Sequence, residues 1–214
     1  CSDVVVRMPC GGGVGAGPFH SQTNEAWFTH TPGLKVVYPA FPNDAKGLLL
    51  SSIEDPNPVM FFEHKALYRS VSGDVPKGYY NIPLGKANLL NKGTDLSIIT
   101  YGMGVHWALD LINTIEDISI DLLDLRTLIP LDIESIKETV MKTGKILILH
   151  EDANIGGFGA DISSLIAQDC FEYLDAPISR VSSLDTPIPF ASDLEKKYLA
   201  KNRLEEAVRN LYAY

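Results

Sequence analysis

Residues 34–63 read LKVVYPAFPNDAKGLLLSSIEDPNPVMFFE, and this stretch decides the fold class. Leu34–Tyr38 is a β-branched, apolar run bounded by Pro32-Gly33 and Pro39. Such a run, fenced by turn formers, predicts a strand. Asn43 can cap a helix that keeps Ala45, Leu48, Leu49 and Ile53 on one face. Pro56 and Pro58 stop that helix, and Val59–Glu63 is a further strand. Strands separated by a helix imply a parallel sheet in an α/β fold.

Upstream, Asp3–Met8 is another β-branched run, leading into the glycine-rich loop Gly11–Gly17 and a short helix Glu25–Thr29 capped by Asn24. The chain opens at Cys1 without an initiator Met, and Val4-Val5-Val6 reads as a buried strand, so further sequence upstream is expected. A unit of three strands and two helices also falls short of a doubly wound domain.

Downstream, His64–Leu84 loses periodicity and gains Gly, Pro and Tyr, as a linker would. A second α/β unit follows, with strands at Leu96–Tyr101, Ile118–Leu125, Lys145–His150 and Ile178–Val181. Between them run helical stripes through Val105, Ala108, Leu109, Ile112 and Ile115, through Ile133, Ile136 and Val140, and through Ile162, Leu165 and Ile166. A last helix has a capping box at Ser192 with Glu195 and stripes Leu204, Ala207, Val208 and Leu211. The division is 1–75, a linker at 76–84, and 85–214.

Composition narrows the function. The 214 residues are 45% hydrophobic and 21% charged, a globular balance. Eighteen Lys+Arg against 27 Asp+Glu give −9, with no basic run, which argues against a nucleic-acid partner. No apolar stretch approaches the roughly 20 residues that span a bilayer, so no membrane is expected. Cys1, Cys10 and Cys170 form no CxxC pair, which suits a reducing compartment. His150-Glu151 is followed by Asp152-Ala153-Asn154, not HExxH.

Gly11, Gly13 and Ala16 fit the spacing of a dinucleotide fingerprint, but Pro18-Phe19-His20 follows where a helix should open. What remains is a loop of small residues delivering His20 to the carboxyl end of a parallel strand, where α/β folds place ligands. A histidine there can shuttle a proton near neutral pH; a structural histidine bonded to a backbone carbonyl is the plainer alternative. His150-Glu151 ends a strand before Gly156-Gly157-Phe158-Gly159 and reads as a turn-stabilising pair, or as a site for an anion or a partner's charge. Ser52, Asp55 and Asn57 are helix-terminating polar residues that could also offer oxygens to a monovalent cation.

The run His20-Ser21-Gln22-Thr23-Asn24-Glu25-Ala26-Trp27-Phe28 resembles the β subunit of thiamine-diphosphate-dependent 2-oxoacid dehydrogenases, the E1 component of the large complexes. The resemblance continues through Pro32–Val37, Ala45–Leu48, Asp124–Asp132, and His150-Glu151 with Gly156-Gly157-Phe158. Ile53-Glu54-Asp55 with Asn57-Pro58, then Phe61-Phe62-Glu63, Leu67-Tyr68-Arg69, Tyr80–Leu84 and Ala176–Val181 are similar to the branched-chain (2-oxoisovalerate) type. Pyruvate and acetoin relatives share fewer of these motifs.

The resemblance implies an α/β fold in which part of a pyrimidine-binding domain precedes a transketolase C-terminal domain with a mostly parallel sheet. It implies an α2β2 assembly: two β subunits, with an E1 α subunit supplying Mg²⁺ and the diphosphate site of thiamine diphosphate. The reaction implied is oxidative decarboxylation of a 2-oxoacid, with acyl transfer to the lipoyl domain of E2. His20 is then the catalytic histidine and, with Phe19, borders the cofactor; Phe19 stands where branched-chain relatives often carry Tyr. A structural K⁺ maps to Ser52, Asp55 and Asn57 with backbone oxygens of Val4 and Val5. The glutamate that activates the aminopyrimidine lies upstream of Cys1, so this piece alone is expected to be inactive. A non-enzymatic assembly module is the alternative. The compartment implied is the cytoplasm in a bacterium and the mitochondrial matrix in a eukaryote.

Overall fold

A computed structural model describes residues 3–214; Cys1, the third cysteine, lies outside the described residues. The first unit runs β1 (Val5–Cys10), α1 (Gly17–His20), α2 (Glu25–Thr29), β2 (Lys35–Val37), α3 (Pro42–Glu54), β3 (Val59–His64) and α4 (Leu67–Ser70). The second runs β4 (Asn88–Asn91), β5 (Leu96–Thr100), α5 (Met103–Ile112), β6 (Ile120–Asp124), β7 (Thr127–Ile129), α6 (Ile133–Thr143), β8 (Ile146–Ala153), α7 (Gly159–Asp169), β9 (Ser179–Ser183), α8 (Ser192–Tyr198) and α9 (Lys201–Tyr212).

Two sheets form, ordered β1-β3-β2-β7 and β4-β6-β5-β8-β9. In the first, β3 pairs in parallel with β1 and β2, so the loops after all three strands leave at one end. β7 belongs to the second unit in sequence yet pairs antiparallel with β2, with Val36 opposite Ile129. The second sheet is parallel except for β4 against β6. One core spans both units, joining Val36, Tyr38 and Phe62 to Tyr101, Leu125 and Leu128.

Several expectations change. Val4 and Val6 are exposed, because β1 is the edge of its sheet and not a buried strand. Asn43 is no cap: Pro42 opens α3 behind Phe41, a position where a missing N–H costs nothing. The buried face of α3 is Asp44, Gly47, Leu48 and Ser52, with Ile53 exposed. Asn24 precedes α2 but its side chain makes no capping bond. The last helix is two, α8 and α9, broken at Leu199-Ala200. The 76–84 linker lies against α3. Lys46 donates to the carbonyls of Pro76 and Gly78, and Ile82 N–H donates to the Gly47 carbonyl, which straps it onto α3.

Burying Asp44 requires a partner from across the unit boundary. Arg126 supplies it, with Nε and Nη2 donating to the two carboxylate oxygens at 2.9 and 2.8 Å. Arg126 has a φ of 59°, a conformation rare outside glycine, and its carbonyl accepts the Tyr38 N–H at 2.8 Å. Arg126→Met is expected to cost about 3 kcal/mol by leaving Asp44 buried and unpaired. Urea unfolding checks this, and removing Asp44 as well should recover part of the loss.

Candidate functional site

Gly11, Gly13, Gly15 and Gly17 all have positive φ, from 56° to 93°, alternating with residues that do not. Such alternation curls successive N–H groups toward one centre, making an anion-binding concavity. Its anions are two carboxylates of the second unit. Glu151, at the end of β8, accepts the Gly12 N–H at 2.6 Å; Glu195, on α8, accepts Gly13 and Gly15 N–H with its two oxygens at 3.0 Å each. Glu195 therefore does not close a capping box with Ser192, which is itself the first residue of α8. Its side chain reaches across the unit boundary.

Glu151 gathers further donors. Thr23 Oγ1 donates to Oε1 at 2.9 Å, and His64 Nε2 lies 2.7 Å from Oε2. Ala66 N–H donates to His64 Nδ1, so the tautomer that completes the chain carries its proton on Nε2. Burial alone would raise Glu151, but His64, Gly12 and Thr23 outweigh it and hold the carboxyl below its ordinary range. A Cβ on Gly11 would overlap the His64 ring, so glycine is required there, whereas one on Gly12 would press on Leu199 at 3.0 Å and need that side chain to give by a few tenths of an ångström.

The loop ends in α1, which presents Phe19 and His20. Ser21, fully buried, accepts the Ala16 N–H at 3.2 Å, and Lys65 donates to the His20 carbonyl. Phe19 is 78% exposed and tilts against Phe190 of the second unit at 6.0 Å between centroids. The His20 ring is exposed beside it. Both stand beyond the carboxyl ends of β1 and β3, so they fit one edge of a group bound from outside.

His150 does not pair with Glu151. Its ring is fully buried, both nitrogens lack partners, and Gly157 and Gly159 pack on it so closely that a Cβ at either would overlap it. Burial, then Arg180, lowers it to about 4 and keeps it neutral.

The cation candidates collect at the opposite end of the first sheet. Val5 pairs with Val59, two residues after Asn57, and the Val4 carbonyl accepts the Val59 N–H at 2.9 Å. Ser52 spends its hydroxyl on the Leu48 carbonyl at 2.7 Å. Its own carbonyl would be met by residue 56, a proline without an N–H, and so is left for another partner. Asp55 accepts from Asn57 and from Lys35. The oxygens suit a hard cation, with the Lys35 ammonium competing for the carboxylate. Among the described residues no group of three or more His, Cys, Asp or Glu could hold a metal ion. Likewise, no described helix is long and apolar enough to cross a membrane.

Sequence reasoning singled out Glu151 without its partners and missed His64, Glu195 and Glu25. Glycines at every second position from 11 to 17 were the available signal. Glu25 is fully buried and takes the Tyr101 hydroxyl at 2.7 Å. Burial, then the charge of Asp152, pushes it up to about 8; burial likewise pushes Asp152 to about 6.

Residues 85–203 match the family model described as transketolase, C-terminal domain, and residues 1–71 match transketolase, pyrimidine binding domain. The chain is 46% identical to the 2-oxoisovalerate dehydrogenase subunit beta 2, mitochondrial, of Arabidopsis thaliana, over 100% of this chain and 60% of that protein. It is 44% identical to the 2-oxoisovalerate dehydrogenase subunit beta of Bacillus subtilis, over 97% and 65% respectively. The beta subunit of an acetoin:2,6-dichlorophenolindophenol oxidoreductase of Cupriavidus necator is 45% identical, over 92% and 58%. A solved structure titled split gene transketolase, inactive beta4 tetramer, superposes with TM-score 0.76 at 23% identity, covering 98% of this chain and 65% of that one, which shows the fold. The chain thus spans between 58% and 65% of the length of these relatives.

Glu25 generates a pH prediction. Its pKa is about 8 when folded against 4.5 when exposed, so between those values the folded chain binds the extra proton. Stability then falls as pH rises through that window. Glu25→Gln should flatten the fall, gaining over the parent at pH 8 and little at pH 5 in urea unfolding; parallel curves would contradict it.

Proposed function

This chain belongs to the transketolase C-terminal domain family over residues 85–203 and matches the transketolase pyrimidine-binding domain over residues 1–71, and from that premise we propose that it works within the β subunit of a branched-chain 2-oxoacid dehydrogenase E1. The observation that carries the reading is the exposed Phe19–His20 pair at the carboxyl end of β1, on a glycine loop held from the second unit. Several of the relatives, at 42% to 46% identity, are 2-oxoisovalerate dehydrogenase β subunits, which supports the branched-chain type.

Thiamine diphosphate supplies the electron sink for decarboxylation when bound. The E1 α subunit holds its diphosphate and Mg²⁺. Phe19, exposed and packed on Phe190, would offer an aromatic face to the aminopyrimidine and help exclude water there. His20 holds the proton for acyl transfer to the lipoyl group of E2. In that transfer the lipoyl S–S bond would break as one sulfur bonds the acyl carbon, the freed second sulfur would take the electron pair and the proton from His20, and the acyl group would leave its carrier as a thioester.

The Ser52 carbonyl, Asp55, Asn57 and the Val4–Val5 backbone would hold a K⁺ far from this chemistry. Residues 1–75 and 85–214 act as the two units joined through 76–84, in an assembly of two α and two β subunits. Without the α subunit this chain is inactive. It works in the mitochondrial matrix of a eukaryote or the cytoplasm of a bacterium.

The test is substrate preference in the assembled enzyme. With 3-methyl-2-oxobutanoate, kcat/KM is expected to exceed that with pyruvate by at least about tenfold, the usual worth of extra carbons in an apolar pocket. The reverse preference would assign the chain to the pyruvate or acetoin type.

A further inference from the structure

The glycine loop and the two carboxylates that fill it lie on different units, and this carries an inference about what the second unit does for the first. Taking His20 as the group that serves lipoyl acylation, which rests on the reading above, we infer that Glu195 and Glu151 are positioning residues that hold His20 in place through the loop backbone.

Three observations support this. In mid-loop there is no side-chain packing to hold the backbone: Gly13 and Gly15 have no heavy atom within 4 Å of where a side chain would begin. What pins them is the pair of N–H bonds to Glu195, whose two oxygens are both used. Bonds to a carboxylate are about twice as strong as neutral ones and fix both donors at once. Next, Glu195 is 3% exposed and turned away from solvent, an expensive place for a carboxylate unless the N–H groups it meets are its function. Finally, the same unit touches the loop at two further points. Glu151 takes Gly12, and Phe190 lies so close to Gly17 that a Cβ there would overlap its ring while the same ring packs on Phe19. The loop is thus fixed near the start, in the middle and at the end of its glycine run, and His20 follows three residues after Gly17.

Glu195→Gln keeps the shape but replaces one acceptor oxygen with a donor facing an N–H. In the assembled full-length enzyme, two rates are compared: decarboxylation with an artificial electron acceptor, and acylation of free lipoyl domain. We expect acylation to drop about tenfold more than decarboxylation, the scale of one charge-assisted bond. In a His20→Ala background the same change should add nothing, because it acts through that side chain. A merely structural glutamate would lower both rates together and add its full loss in the double variant, and that outcome overturns the inference. Should Glu195→Gln fail to assemble, the cycle is run with Glu195→Asp, which keeps the charge but shortens its reach and carries the same expectation. If His20→Ala alone leaves lipoyl acylation at the parent rate, the reading of His20 falls, and this inference with it.

Discussion

The buried carboxylate of Glu151 is the point on which this architecture turns. Placed at the end of β8, it must find donors or be expelled to water, and every donor it finds belongs to the other unit: Gly12 N–H, Thr23 Oγ1 and His64 Nε2. Satisfying one acid therefore ties together the end of β3, the loop after β1 and the strand β8. A buried polar group is costly when unmet and worth most when fully met, so such a network specifies one arrangement of the two units. Glu195 repeats the device one turn of the glycine loop later.

Around that centre the remaining contacts follow. β7 lends itself to the first sheet beside β2, Arg126 neutralises Asp44, and a single apolar core runs from Val36 to Leu128. In the first unit as described, the N–H groups of Gly12, Gly13 and Gly15 find their acceptors in the carboxylates of the second unit. This division explains why the second unit contributes acidic side chains to the candidate site.

Much of the fold is legible in the sequence. The apolar runs at 34–38, 59–63, 96–101 and 145–150 became strands, and the stripes through Val105, Ile136 and Ile162 became helices, because periodicity reports burial directly. The failures share one cause. β7 has three residues and pairs across the unit boundary, so no local period marks it. Val4–Val6 has the composition of an interior strand, yet composition does not say which strand is the edge. Ser192 and Glu195 have the spacing of a capping box, and tertiary donors took the glutamate instead. Of the candidate site, the His20 loop could be read from its glycines, whereas His64, a lone histidine at a strand end, had no pattern to announce it.

The most direct measurement of this account is amide hydrogen exchange at single-residue resolution across residues 11–20 of the assembled protein. Gly13 and Gly15 are exposed to solvent, and an unclamped loop of this composition would exchange at the rate of free peptide. The account predicts protection at Gly12, Gly13 and Gly15 well above that of Val14, whose N–H has no part in the clamp. Uniformly fast exchange across the loop would contradict it.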